Sequence, residues 1–213
     1  SNQTTITNGA TASSDNSSVN AGAAYVFKRT GVNWAQEAYL KAPDVDSSDY
    51  FGNSVAVSGD TIVVGALWED SNQTTITNGT TASSDNSLAN SGAAYVYNRT
   101  GTTWAQEAYL KAPNAAMNDY FGESVAVDGD TIVVGASGED SSQSTVTNGT
   151  TASSDDTFNT SGAAYVFKRT GATWAQEAYL KAPNVGGGDL FGFSVSISGE
   201  TVVVGARHEG SDQ

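Results

Sequence analysis

The sequence predicts an all-β protein: a β-propeller-type array of four-stranded antiparallel blades, in three repeats of 70 residues. Three observations predict it. Trp34, Trp104 and Trp174 stand 70 residues apart, as do Phe51, Phe121 and Phe191, and again Gly65, Gly135 and Gly205; a fixed period means that each unit buries its apolar face against the next. Within a period, short runs rich in β-branched and aromatic residues are separated by Gly-containing turns, and nothing has the periodicity of a helix. The runs also grade from wholly apolar to half polar, as strands of a blade do between its packed interior and its wet rim.

The chain reads as one array, 1–213, divided into repeats 1–70, 71–140 and 141–210, each a Ser/Thr/Asn-rich insert followed by four strands, with residues 211–213 opening a fourth. Ser1 opens in the middle of a repeat, which reads as a mature or excised segment. The insert comes first: Ser1-Asn2-Gln3-Thr4-Thr5-Ile6-Thr7-Asn8-Gly9 returns at 71–79 and, altered, at 141–149, and the stretch 70–90 is almost wholly Ser, Thr, Asn, Asp, Gly and Ala. Its composition is that of a solvated linker between blades, while its recurrence favours a defined path. Gly22-Ala23-Ala24-Tyr25-Val26-Phe27-Lys28-Arg29 follows as a strand that ends in the turn Thr30-Gly31-Val32-Asn33. In 34–42, Trp34, Ala38 and Leu40 share one face and Glu37 and Lys41 the other, the alternation of a strand with one wet side near a sheet edge. Val55-Ala56-Val57, the turn Ser58-Gly59-Asp60 and Thr61-Ile62-Val63-Val64-Gly65-Ala66 make a hairpin. Consecutive apolar residues at 62–64 mark a strand buried on both faces, so this run and its counterparts 132–134 and 202–204 are expected among the most buried segments. Trp34, Tyr39 and Phe51, with their counterparts, are expected to pack between blades, because a residue repeated in every unit reads as core.

Composition narrows the function. A net charge of −14, with only nine Lys and Arg that do not cluster, argues against nucleic acid or an anionic membrane surface as partner. With no cysteine there is neither a disulfide framework nor thiol chemistry. No apolar run approaches the length of a membrane span and no signal peptide is visible, so membrane insertion is not expected.

Phe51-Gly52 followed by Gly65-Ala66, repeated as Phe121-Gly122 with Gly135-Ala136 and Phe191-Gly192 with Gly205-Ala206, resembles the FG-GAP repeat of integrin α-subunit propellers. The runs Gly-Ala-Ala-Tyr-Val-Phe, Trp-x-x-x-Ala-Tyr-Leu and Ile-Val-Val-Gly-Ala resemble bacterial extracellular members more closely still. The resemblance covers all three repeats. It implies a β-propeller, usually of seven blades, in a secreted or surface protein concerned with adhesion or ligand binding. The sequence departs from that pattern twice. The motif's proline is replaced by Leu67, Ser137 and Arg207. The calcium loop that integrin-type repeats often carry between Phe-Gly and Gly-Ala is reduced here to Ser58-Gly59-Asp60, Asp128-Gly129-Asp130 or Ser198-Gly199-Glu200. A turn so short cannot wrap a cation that takes six to eight oxygen ligands, and the family's site is not carried over.

No catalytic constellation stands out. His208 is the sole histidine, lies in the third repeat only, and reads as a surface residue; a Ser or Thr nucleophile would lack a base. The pairs Glu69-Asp70 and Glu139-Asp140 recur, whereas an active site is built once. The chain is expected not to be an enzyme. Calcium is the candidate cofactor, with Asp70, Asn72 and Asp85 in one insert and Asp140, Asp155 and Asp156 in the next as hard oxygen donors that would pin the insert to the blade; the alternative is that they are solvated loop acids. Trp68 stands outside the repeat, its counterparts being Gly138 and His208, and is a contact-site candidate. Asn-x-Ser/Thr acceptors for glycosylation occur at Asn2, Asn16, Asn72, Asn78, Asn98, Asn148 and Asn159.

Three blades are too few to close a ring, and neither the first nor the last repeat has the divergent, polar sequence of a cap. The expected partners are therefore further repeats or copies of the same sequence, in a ring or a filament, with an extracellular glycan or protein as a further partner. Two functions follow: an extracellular structural or adhesive repeat protein, or a ligand-binding propeller module of a surface receptor. Near-identity between repeats favours the first, since a dedicated binding site calls for local divergence.

Overall fold

A computed structural model of the protein describes residues 3–44 and 46–210, and among them there is no helix. In chain order the strands are β1 (Thr7–Asn8), β2 (Ala24–Thr30), β3 (Asn33–Leu40), β4 (Ser54–Ser58), β5 (Thr61–Ala66), β6 (Thr77–Asn78), β7 (Ala93–Thr100), β8 (Thr103–Leu110), β9 (Ser124–Asp128), β10 (Thr131–Ala136), β11 (Thr147–Asn148), β12 (Ala163–Thr170), β13 (Thr173–Leu180), β14 (Phe191–Ser198) and β15 (Thr201–Ala206). The chain is all-β, and its antiparallel pairings recur at the sequence period.

The sheets do not coincide with the repeats. Two are complete and five-stranded, in the orders β4-β5-β7-β8-β6 and β9-β10-β12-β13-β11; they are flanked by a partial sheet β1-β3-β2 and a two-stranded sheet β14-β15. Each complete sheet thus takes its first two strands from one period and the rest from the next. The insert lies inside a sheet, joining its second strand to its third, and not between sheets as its composition suggests. The cause is the apolar strand β5: buried over its whole length, it must satisfy both backbone edges. Ser54–Ser58 takes one edge, and the equally apolar Ala93–Thr100 takes the other, in the register Ile62↔Tyr97, Val63↔Val96 and Val64↔Tyr95. The insert has to span that crossing. Part of it, β6, adds a two-residue strand on the outer edge of β8 through Thr77↔Tyr109 and Asn78↔Ala108.

Three apolar layers hold the sheets face to face. Ile62, Val64, Ala66, Tyr95 and Trp104 of the second sheet pack on Ala24, Ala38 and Leu40 of the first. Val63, Val96 and Leu110, on the opposite face, pack on Phe121, Ile132, Val134 and Trp174 of the third. Val133, Val166 and Ala178 meet Val195, Ile197 and Val204 of the last. The alternation along β5 thus supplies one residue set to each neighbour, as the period of two in a strand requires.

The Phe-Gly and Gly-Ala pairs belong to these junctions. Phe121 is fully buried, edge-on to Tyr165 and Phe167. Gly122 donates its N–H to the Gly135 carbonyl at 3.0 Å, and its own carbonyl accepts from Ser54 Oγ of the preceding sheet at 2.7 Å. A Cβ on Gly65 would stand 1.9 Å from that carbonyl, so glycine is required there for the sheets to approach.

At the two partial sheets the structure departs from the sequence expectation. Val203 is 63% exposed, whereas its counterparts Val63 and Val133 are fully buried. Trp34 is 68% exposed against 3% and 1% for Trp104 and Trp174. Tyr25 and Phe27 are likewise exposed, although Tyr39 and Phe51 are buried as expected. The sequence is equivalent at these positions; what differs is the neighbouring strand or sheet, which no described residue supplies.

Candidate functional site

The described chemistry is concentrated in polar nodes within and between the sheets. Within each complete sheet a lysine is buried at the end of the outer strand. Lys111 Nζ donates to Glu69 Oε2 at 2.9 Å, Ser91 Oγ at 2.8 Å and the Gly92 carbonyl at 2.7 Å, and Tyr109 donates its hydroxyl to Glu69 Oε1 at 2.8 Å. Lys181, Glu139, Ser161, Gly162 and Tyr179 repeat this arrangement. All three ammonium protons are used, as a buried charge needs. Burial pushes Lys111 and Lys181 below the ordinary lysine value, and the adjacent carboxylates oppose that shift. A lysine with a depressed pKa suits nucleophilic catalysis when a substrate can reach it; here both side chains are wholly inaccessible. The nodes tie the insert's base to the outer strand. In the first sheet Lys41 is also buried and donates to the Gly22 carbonyl, but no ion pair joins it to a carboxylate among the described residues.

Between sheets a second node recurs. Asn8 of the first sheet accepts from Trp104 N at 2.7 Å and donates to Trp104 O at 3.3 Å. Glu37 accepts from Trp104 Nε1 at 3.0 Å and Arg99 Nη1 at 3.1 Å. Arg99 also pairs with Asp60 through Nε at 2.8 Å and lies 5.3 Å from the Trp104 ring centroid. Asn78, Glu107, Asp130, Arg169 and Trp174 repeat the set one sheet later. Burial raises the Glu37 pKa, but hydrogen bonds from Trp104, Lys28 and Arg99 outweigh it and hold the carboxyl below its usual range. Sequence reasoning missed these clamps; the threefold recurrence of Asn-Gly at 8, 78 and 148 and of Arg29, Arg99 and Arg169 was the available signal.

The proposed calcium donors are given separate work. Asp70 Oδ1 accepts from Asn90 N at 2.7 Å and Asp140 Oδ1 from Thr160 N at 2.5 Å, closing the base of each insert. Asp85 Oδ2 accepts from Asn72 N at 2.9 Å and Ser87 Oγ at 3.0 Å, and Asp155 Oδ2 from Ser142 N at 3.0 Å, lacing the two arms of each insert together. Asn72 and Asp156 are exposed. Among the described residues no three His, Asp or Glu side chains are placed to hold one metal ion. The integrin-type loop does not fit either, since Asp60, in its place, is committed to Arg99. Asp49 and Asp119, ahead of Phe-Gly, accept a backbone N–H from Asp46 and Ala116 and cap those turns. Burial raises their pKa values to about 7 and about 8; the capping hydrogen bonds oppose the rise, and neighbouring carboxylates add to it. Asp119 Oδ1 is buried without a hydrogen-bond partner.

Trp68 is part exposed and packs edge-on against Tyr50 at 4.5 Å between ring centroids. His208 is exposed, as expected. Of the glycan acceptors, Asn16, Asn72, Asn148 and Asn159 are exposed and Asn98 is half-buried in β7, while Asn2 lies outside the described residues. Asn78 is spent on Trp174: its Nδ2 donates to the Trp174 carbonyl at 3.2 Å, so that nitrogen already has a structural partner.

No helix among the described residues is long and apolar enough to cross a membrane. No curated protein matches the chain. A family model described as the FG-GAP repeat matches residues 34–97, 104–167 and 174–213. Those stretches span most of the chain and include each Phe-Gly and Gly-Ala pair whose packing joins one sheet to the next: the chain belongs to the FG-GAP repeat family.

Proposed function

We propose that the protein is an extracellular structural or adhesive repeat protein, non-enzymatic, whose sheets are blades of a β-propeller-type array within a larger ring or fibre-like assembly. The observation that carries this reading is that the polar groups are spent on holding neighbouring sheets together, in equivalent sets one period apart. FG-GAP repeats are typical of extracellular adhesive and integrin-like modules. Its partners are further copies or repeats of itself, with an extracellular glycan or protein bound by the assembled surface. Native mass measurement paired with negative-stain imaging tests the reading: rings or filaments are expected, and a stable compact monomer at micromolar concentration would overturn it.

The second reading, a glycan- or protein-binding module of a surface receptor, draws on the Trp68–Tyr50 pair, which is aromatic, part exposed and non-repeating. Under it, Trp68→Ala abolishes ligand capture without changing the melting temperature; under the first, it changes neither assembly nor stability.

A further inference from the structure

A groove of about 280 Å³ lies between the second and third sheets where their inserts meet, walled by Thr75, Ile76 and Pro113 on one side and Thr150, Trp174 and Gln176 on the other. Another, of about 260 Å³, stands one period earlier between the first and second sheets, and its walls include the equivalent Thr5, Ile6, Pro43, Thr80, Trp104 and Gln106. Deepening the adhesive reading above, on which it rests, we infer that each groove binds one neutral sugar residue, and that successive grooves hold a neutral polysaccharide at several points.

An unmet polar group borders the groove. Gln176 is more than nine-tenths buried. Its Nε2 donates to the Gly149 and Thr151 carbonyls of its own sheet's insert at 3.2 and 3.1 Å, and those two acceptors fix which end of the amide is nitrogen. Oε1, at the other end, is buried and has no donor among the described residues. A buried acceptor left so is costly and calls for a partner that the protein itself does not supply. A sugar hydroxyl in the groove, directly or through a bridging water, is such a donor. Gln106 is held by the Gly79 and Thr81 carbonyls in the same way.

The chemistry of the walls selects the ligand. Ile76, Pro113 and Trp174 offer apolar surface to the C–H faces of a pyranose, while Thr75 and Thr150, both exposed, carry hydroxyls that donate and accept. The one charged residue in each lining is a lysine, and neither is free to bind: the Lys111 side chain is wholly inaccessible and committed to Glu69, Ser91 and Gly92, and the buried Lys41 donates to the Gly22 carbonyl. A net charge of −14 further disfavours an anionic polymer. Both volumes fall just under the range of about 300–1,000 Å³ for drug-sized ligands, which suits a single ring.

Repetition extends the site to a polymer. Each groove is built where two inserts meet, so every junction between sheets carries an equivalent one, and packed sheets lie about 10 Å apart. A chain of like sugars engages several such weak sites at once, with an avidity up to about 10²–10⁴ above that of one. Near-identity between repeats, which counts against a single dedicated site, is what a repeating ligand requires.

Affinity electrophoresis of the 213-residue chain tests this, in gels cast with dextran, amylose or galactomannan, with heparin as an anionic polymer and gelatin as an extended peptide. Retardation by at least one neutral polysaccharide, and not by heparin, is expected. Thr80 and Thr150 are exposed, so T80F and T150F each fill one groove from its rim. Each should weaken retardation about tenfold or more, and the double variant should abolish it with the melting temperature unchanged. Should either variant lower the melting temperature, T5A/T80A and T75A/T150A remove only hydroxyls and should still weaken retardation about threefold or more. Retardation by no neutral polysaccharide, by heparin alone or by gelatin alone would overturn the inference, the last making the occupant a peptide. Retardation by a neutral polymer that survives all these variants, or that is lost in W68A instead, would overturn this site and leave a glycan-binding adhesive protein standing. Rings or filaments in native mass measurement, with no retardation, would refute the sugar site and leave the structural reading intact.

Discussion

Trp104→Ala and Trp34→Ala change the same residue type at the same place in the repeat, and only the neighbours differ. Trp104 is 3% exposed, with its indole N–H on Glu37 at 3.0 Å and the Arg99 guanidinium stacked on its ring. An aromatic of this size removes roughly 150–250 Å² from water, which at about 25 cal/mol per Å² is about 4–6 kcal/mol. Measured Trp→Ala losses in cores are about 3–5 kcal/mol, and Glu37, with a side chain only 11% exposed, also loses a donor. Trp34 is 68% exposed, so its removal should cost less than about 0.5 kcal/mol, as an ordinary surface change does. Denaturant unfolding followed by circular dichroism, at protein concentrations low enough to keep the chain dissociated, measures both. Equal losses for both variants in the dissociated state would refute the assignment of Trp34 to an open edge.

The Lys111–Glu69 pair gives a second contrast: Lys111→Met strands a buried carboxylate and should cost about 3–5 kcal/mol, whereas K111M/E69L should cost much less, read from unfolding midpoints. Asp119 has a folded-state pKa of about 8, above its unfolded value of about 3.9. The folded chain therefore binds that proton more tightly, the associated stability is complete below about pH 4, and it is lost as pH rises through about 8. Asp119→Asn should flatten the fall of melting temperature between pH 5 and pH 9; an unchanged slope would show that Asp119 is charged throughout. Adding a chelator should leave the melting temperature unchanged, because the acidic side chains of the inserts are hydrogen-bonded to their own loops; a drop of several degrees would place a structural cation there.

Strands and repeats were legible in the sequence because their signals are local. The hairpin at 54–66 reads from Ser58-Gly59-Asp60 between two apolar runs, and the buried Phe121 and Gly135 read from recurrence alone. The phase of the sheets was not. A period says nothing about where a folding unit starts, and the crossing from β5 to β7 passes through an insert whose Ser/Thr/Asn composition matches a linker. The deciding fact is that β5 needs partners on both edges, and Ala93–Tyr97 is the next stretch apolar enough to be one. The work of the insert acids was not legible either: Asp70 and Asp85 look like cation ligands by residue type, and their acceptance of backbone N–H groups across the insert has no signal in the sequence. The exposure of Trp34 and Val203 was illegible in principle, since their own sequence is that of the buried copies.

The offset between repeat and sheet has a genetic consequence. Because every complete sheet is assembled from the back of one period and the front of the next, a recombination that gains or loses one 70-residue period changes the number of complete sheets by one and leaves every junction between sheets of the same kind. A change of one whole period, wherever it falls, would break no sheet. Length can change by whole sheets while the junction between one sheet and the next stays constant.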